Sequence, residues 1–290
     1  MTIAFVFAGQ GDQSVGMGKP LCDAMPAARK LFDRASEILG FDLAKVCFDG
    51  PADQLQRTDV CQPALLVHAF AATLLKPDVK PAVVAGLSLG EYTANVYAGS
   101  LSFDDGVRLV KRRGELMQEA CEKTPSGMVA PIGLDRAKAE EAAAFGGVRV
   151  ANYNAPGQYI LSGANDALKK AVEKATALGA RKCIALKVAG AYHSDVMKPA
   201  QEKLQSELAK VTFSAPRMPI ICNVTGKATT DPEELRRNLA AQVVSSVRWE
   251  DSIKAAQAIG ITSYVEFGPK QTLAGLIGKI LEGAKTESVG

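Results

Sequence analysis

Gly86-Leu87-Ser88-Leu89-Gly90 is a G-x-S-x-G pattern. It follows an apolar run, Pro81 to Gly86, that reads as a buried strand, and it precedes a helical pattern reaching Ala98. This is the setting of a nucleophile elbow. The glycines permit a sharp turn, the serine takes a strained backbone, and the first N–H groups of the helix face charge that develops during acyl transfer. The five-residue pattern alone is common, so the strand-turn-helix context carries the reading. A serine hydroxyl is a weak nucleophile near neutral pH and needs a base within reach. The chain has two histidines. His68 lies inside the apolar segment ALLVHAFAATLL, where a packed structural histidine is expected. His193 lies in the loop AGAYHSD, ahead of a helix beginning near Met197, and loops present catalytic side chains. His193 is the expected base.

Arg113 falls in the row Gly106, Val110, Arg113, Met117, Ala120, which follows helical spacing and is mostly apolar, while Lys111 and Arg112 can point to solvent. A guanidinium on that face needs a carboxylate, which its fork matches bidentately. Spacing alone favours an internal salt bridge or an arginine that snorkels to water. The Gly9-Gln10-Gly11 turn fails as a dinucleotide fingerprint, because Ser14 stands where a third glycine is needed and no acidic residue ends a second strand. It serves better as a second backbone N–H donor facing Ser88. Asn152, Asn154 and Gln158 sit in polar loops that could meet substrate or simply make turns.

The elements that must position these groups can be read from periodicity. Thr2 to Phe7 predicts a buried strand before the Gly-rich turn, and Pro63 suits the first turn of the apolar helix containing His68. Ser102, three residues before Asp105, predicts an N-terminal cap for a helix to about Glu122. From Gly127 the order becomes strand, helix, strand, strand, helix, strand: Met128–Gly133, Asp135–Ala144, Val148–Tyr153, Gln158–Ser162, Asn165–Leu178 and Arg181–Val188. That βαββαβ order matches a ferredoxin-like split motif. The helix and strand alternation then resumes, with Ile220–Val224 and Tyr264–Phe267 as strands. The expected fold is α/β: an α/β-hydrolase-like core with a parallel sheet, built from residues 1–123 and 192–290, and an inserted ferredoxin-like subdomain at 124–191.

Composition narrows the function classes. In 290 residues, 47% are hydrophobic and 22% charged, with a mean hydropathy of +0.03, so the chain can fill a core. Thirty-four lysines and arginines against 31 acids give +3, too even for a binder of nucleic acid that works by neutralising phosphates. The cysteines, Cys22, Cys47, Cys61, Cys121, Cys183 and Cys222, form no C-x-x-C pair, so no metal site is expected and they read as reduced thiols. No run approaches about 18 uninterrupted apolar residues, and the start of the chain is strand-like rather than a signal peptide, so no membrane partner is expected.

The segments GQGDQ, QPALL, GLSLGEYTA, KRRGELMQ, NYNAPGQYILSG, GAYHSDVMKPA and VEFGP run in order over nearly the whole chain. Together they resemble the malonyl-CoA:acyl carrier protein transacylases of type II fatty-acid synthesis. The resemblance implies a ping-pong transfer of malonyl from a coenzyme A thioester to the phosphopantetheine thiol of acyl carrier protein, with no cofactor held by the enzyme and the chain working as a monomer. It implies Ser88 as nucleophile, His193 as base and Arg113 as partner of the malonyl carboxylate, reversing the reading from spacing. It also implies oxyanion-hole N–H groups from Gln10 and Leu89, a backbone carbonyl of Gln242 that orients the histidine in place of a triad carboxylate, and Gln62 lining the acyl pocket.

The sequence departs from the family pattern at Ala8, Leu87 and Ser246, which replace proline, histidine and proline, and at Tyr192, which replaces phenylalanine. Leu87 and the AQVVSSVRW wording look most like plastid-type members, giving plastid stroma as the expected location and bacterial cytoplasm as the alternative. Carrier proteins are acidic, so Lys111, Arg112, Arg181, Lys182, Arg236 and Lys279 are candidate docking charges. Two rivals predict other features. A serine esterase of the α/β-hydrolase type should carry an H-G-G-G loop, which is missing, and a non-catalytic scaffold has no use for serine, histidine and arginine together.

Overall fold

The computed structural model describes residues 2–290. The first part of the chain forms β1 (Ile3–Phe7), α1 (Lys19–Ala24), α2 (Pro26–Leu39), α3 (Leu43–Asp49), α4 (Ala52–Gln56), α5 (Thr58–Ala72), β2 (Val83–Gly86), α6 (Leu89–Ala98) and α7 (Phe103–Lys123). Next come β3 (Ser126–Ile132), α8 (Arg136–Gly146), β4 (Arg149–Ala155), β5 (Gln158–Ala164), α9 (Asn165–Ala177) and β6 (Lys182–Ala185). The last part forms α10 (Lys198–Leu208), β7 (Ile220–Ile221), β8 (Ala228–Thr229), α11 (Pro232–Gln242), α12 (Trp249–Ala258), β9 (Ser263–Phe267), α13 (Thr272–Ile280) and β10 (Lys285–Val289).

Two sheets result. The larger runs β10-β9-β1-β2-β7-β8 and is parallel except for β8. Its central strands, IAFVF and VVAG, are continuous apolar runs because helices cover both faces. Successive side chains alternate between those faces. Phe5 and Phe7 join the core with Leu65, Leu66, Tyr92 and Val110 of α5, α6 and α7, whereas Ala4 and Val6 join Trp249, Ile253, Leu273 and Ile277 of α12 and α13. The smaller sheet runs β4-β5-β3-β6 and is antiparallel. An isolated bridge from Asn152 to Val247 and the hydrogen bond from Ser246 Oγ to the Val150 carbonyl (2.7 Å) fasten it to the segment after α11.

Several boundaries differ from expectation for identifiable reasons. α5 begins at Thr58, so Pro63 is internal rather than in the first turn, and its missing N–H leaves the Asp59 carbonyl without that helical donor. Thr58–Leu75 is long and apolar enough to cross a bilayer by composition, with a mean hydropathy of 1.3, but it is a core helix packed between α2, α6 and α7. β7 is two residues long rather than five: Cys222 N–H bonds the Lys227 carbonyl and the chain turns there, sending Asn223 out of the sheet. β6 is also short, an exposed edge strand. β10 was not anticipated, because KTESV is a polar edge strand without the apolar signal that marks buried strands.

Candidate active site

β2 ends at the elbow and α6 begins immediately after Ser88. The glycines are sterically required: a Cβ on Gly86 would stand 1.9 Å from the Gly90 carbonyl carbon, and one on Gly90 would stand 2.1 Å from the Phe7 carbonyl oxygen. Ser88 has φ 54° and ψ −103°, and His193 has φ 57°; among the described residues they are the only non-glycines with positive φ. Backbone in this region costs free energy and persists only where surrounding contacts enforce it. At Ser88 the enforcement comes from Asn223, whose Oδ1 accepts from Ser88 N–H (2.6 Å) while its Nδ2 donates to the Gly86 carbonyl (2.7 Å).

Ser88 Oγ and His193 Nε2 are 2.7 Å apart, and Nδ1 of His193 faces the Gln242 backbone carbonyl at 2.9 Å. With Nδ1–H donating to that carbonyl, Nε2 is left as the acceptor for the serine proton. Arg113 is 1% exposed. Its Nη1 donates to Gln62 Oε1 (2.7 Å), and its Nη2 donates to Gln242 Oε1 (3.0 Å) and to Ser88 Oγ (3.1 Å). The face of Tyr92 lies 5.5 Å away and Nε has no partner. No carboxylate of the described residues forms a salt bridge with this guanidinium, so the internal ion pair expected from spacing is not what holds it. A fully buried cation held only by neutral oxygens is an incomplete anion site.

Gln62 also points Nε2 toward Gln10 Oε1 (3.4 Å), which puts Gln10 at the rim of the group. Leu89 is the first residue of α6, where N–H groups have no intrahelical acceptor. Tyr192, beside the base, bonds Thr58 Oγ1 through its hydroxyl (2.8 Å). The structure therefore gathers Ser88, His193, Arg113, Gln242 and Gln62 into one hydrogen-bonded cluster. Sequence reasoning missed two members, Asn223 and Glu91. Asn223 follows a strand that ends early, and Glu91 sits in a helix whose burial is nearly complete, which no amphipathic pattern signals.

Electrostatics follow from enclosure. Burial and the Arg113 charge push the His193 imidazole down to about 4, so it is neutral and ready to accept a proton. Glu91 moves the other way, to about 7, because burial outweighs its hydrogen bonds to Gln242 and Asn223. Among the described residues no cluster of three or more His, Cys, Asp or Glu side chains could hold a metal ion, and all six cysteines are unpaired thiols. A cavity of about 660 Å³ between α8, β4 and the loop after His193 is lined by Arg149, Ser194 and Asp195 but by none of Ser88, His193 or Arg113. Ser88 Oγ instead lies within hydrogen-bond distance of both His193 and Arg113.

An acyl transferase domain model matches residues 4–289. The chain is 40% identical over 294 residues to the malonyl CoA-acyl carrier protein transacylase of Bacillus subtilis, covering 99% of this chain and 93% of that protein. Among solved structures it is similar to an acyl carrier protein S-malonyltransferase from Vibrio cholerae, at TM-score 0.97 and 37% identity, covering 100% of this chain and 97% of the other. It is also similar to a malonyl-transacylase in complex with its type II PKS acyl-carrier protein, at TM-score 0.96 and 35% identity, covering 100% and 96%.

Proposed function

The chain belongs to the acyl transferase domain family, alongside the malonyl CoA-acyl carrier protein transacylases, and from that premise we propose how it transfers a malonyl group from coenzyme A to the phosphopantetheine thiol of acyl carrier protein in fatty-acid synthesis. Ser88 Oγ attacks the thioester carbonyl as His193 Nε2 takes its proton, the C–S bond breaks, and the imidazolium returns the proton to the departing thiol. In the second half the carrier thiol gives its proton to His193 and attacks the malonyl-serine, and Ser88 Oγ leaves with that proton. Backbone N–H groups of Gln10 and Leu89 stabilise the oxyanion at both steps. No cofactor enters either step.

The observation that carries this reading is the buried Arg113 without a carboxylate, 3.1 Å from the nucleophile. A malonyl carboxylate would complete it bidentately, whereas an acetyl group would leave the cation unpaired. It would also neutralise the charge that depresses His193, so the correct substrate makes the base stronger. The Gln242 carbonyl supports its role as the histidine-orienting group, and Gln62, bonded to Arg113, its place in the acyl pocket. The strand order β4-β5-β3-β6 with helices α8 and α9 supports a ferredoxin-like subdomain at 124–191, inserted in an α/β-hydrolase-like core of 1–123 and 192–290.

Acidic carrier protein would be met by exposed cations. Lys111 is tied to the Leu39 carbonyl, Arg112 to Glu115 and Arg236 to Glu233, which leaves Arg181, Lys182 and Lys279 as the better docking groups of the six. Bacterial relatives favour bacterial cytoplasm over the plastid stroma suggested by Leu87, and a monomer suffices because every group in the cluster comes from one chain. Intact-protein mass spectrometry tests the proposal: malonyl-CoA should add one malonyl mass to the wild type and none to Ser88→Ala, and carrier protein should then remove it. An adduct that carrier protein cannot discharge would refute the transfer.

A further inference from the structure

On that acyl-transfer reading Glu91 has no assigned part, yet it is 0% exposed and lies one helical turn from the nucleophile. We infer that Glu91 is a positioning residue, the common anchor through which Gln242 and Asn223 hold nucleophile, base and arginine in one geometry. Its Oε2 accepts from Gln242 Nε2 (2.6 Å) and from Asn223 N–H (3.1 Å). Each of those residues grips the site. Asn223 clamps both sides of the elbow, at Ser88 N–H and the Gly86 carbonyl. Gln242 touches the other elements: its Nε2 donates to the Ser88 carbonyl (2.9 Å), its Oε1 accepts from Arg113, and its backbone carbonyl faces His193.

The carboxylate decides which way the Gln242 amide faces. Nε2 has two protons, and Glu91 and the Ser88 carbonyl, both acceptors, take one each. That leaves Oε1 for the guanidinium. A neutral amide at position 91 offers a donor as well as an acceptor, so Gln242 can turn its NH₂ against Arg113 and the cation loses an oxygen partner. The charge-assisted bonds are lost with it. Burial lifts the Glu91 carboxyl to about 7, a cost the fold accepts with Arg113 as the nearby compensating charge and Tyr92, Cys222 and Gln242 around it.

Glu91→Gln separates this role from a purely structural one. The rate of malonyl adduct formation on Ser88 should fall about 10- to 100-fold, because small misplacement of reacting groups is costly in rate. The preference for malonyl-CoA over acetyl-CoA should fall as well, about tenfold, and the double variant with Gln242→Ala should show no less preference than Gln242→Ala alone. Glu91→Asp, which keeps the charge but withdraws the acceptor, should give an intermediate loss, and it carries the same comparison if Glu91→Gln does not fold. An unchanged preference, or losses that multiply in the double variant, would overturn the inference while the wild-type adduct leaves acyl transfer intact. Failure of the wild type to take malonyl would overturn both.

Discussion

His68 and His193 are both buried, at 1% and 4% exposure, and burial pushes both imidazoles down to about 4. They do different work. His68 lies in α5 among apolar neighbours, and neither ring nitrogen has a hydrogen-bond partner of good geometry, although the Gly268 carbonyl lies toward the ring. His193 sits on a positive-φ backbone with both nitrogens engaged, one toward the Gln242 carbonyl and one toward Ser88 Oγ. Enclosure fixes the protonation state in both places. Only the wiring, and the Arg113 charge beside it, makes one of them a base.

The largest effects should therefore come from cutting that wiring. His193→Ala should slow acyl transfer by about 10³-fold, the usual scale of a lost general base, while Ser88→Ala should give no acyl adduct at all. Both are read by stopped-time mass spectrometry. Arg113→Ala comes next. Transfer of malonyl should fall about 10²-fold or more and that of acetyl much less, since the neutral group gains nothing from the cation. Equal loss for the two acyl groups would remove Arg113 from specificity.

The pH dependence sharpens the same contrast at smaller scale. With acetyl-CoA, kcat/KM for the first step should fall in two stages on acidification, partly near pH 7 as the Glu91 anchor protonates and finally along a His193 limb near pH 4 rather than at the ordinary histidine value of 6.5, because kcat/KM reports the unliganded enzyme. Removing Arg113 removes a cause of the depression, so the limb of Arg113→Ala should move up. With malonyl-CoA the limb of kcat should lie above that of kcat/KM in the wild type, because the bound carboxylate neutralises the arginine. A limb that ignores both changes would mean that His193 does not feel Arg113.

Much of this was legible in the residues. Continuous apolar runs and the βαββαβ order placed most of the strands, and the elbow motif together with a two-histidine count placed Ser88 and His193. Arg113 was harder, because a charged residue in an apolar helical row reads equally as a salt bridge, and only the ordered motifs argued otherwise. Asn223 and Glu91 were invisible for a physical reason: each is a polar residue whose partners are 132 to 151 positions away, and no local periodicity records that pairing. The polar strand β10 and the internal Pro63 were missed for related reasons, since tertiary packing overrode local preference.

The smallest effect should come from the other histidine. His68→Leu removes a buried polar ring with no well-formed hydrogen bond and supplies an apolar side chain of similar size, so acyl transfer should stay within about twofold and stability at neutral pH should hold or rise, by up to about 2 kcal/mol. The sign in acid is fixed by linkage. His68 is near 4 when folded against 6.5 for an unperturbed imidazole, so between those values the unfolded chain binds more protons and wild-type stability falls as pH drops. Leucine abolishes that contribution, and the variant should gain on the wild type on acidification through this window, by at most about 3 kcal/mol. Glu91, raised to about 7, titrates in the opposite sense, stabilising less as pH rises, but it is common to both proteins and cancels in the difference. Urea melts of the two proteins at several pH values measure that difference. If it were flat with pH, or if transfer collapsed with His68, burial and wiring would not separate the two histidines as the structure separates them.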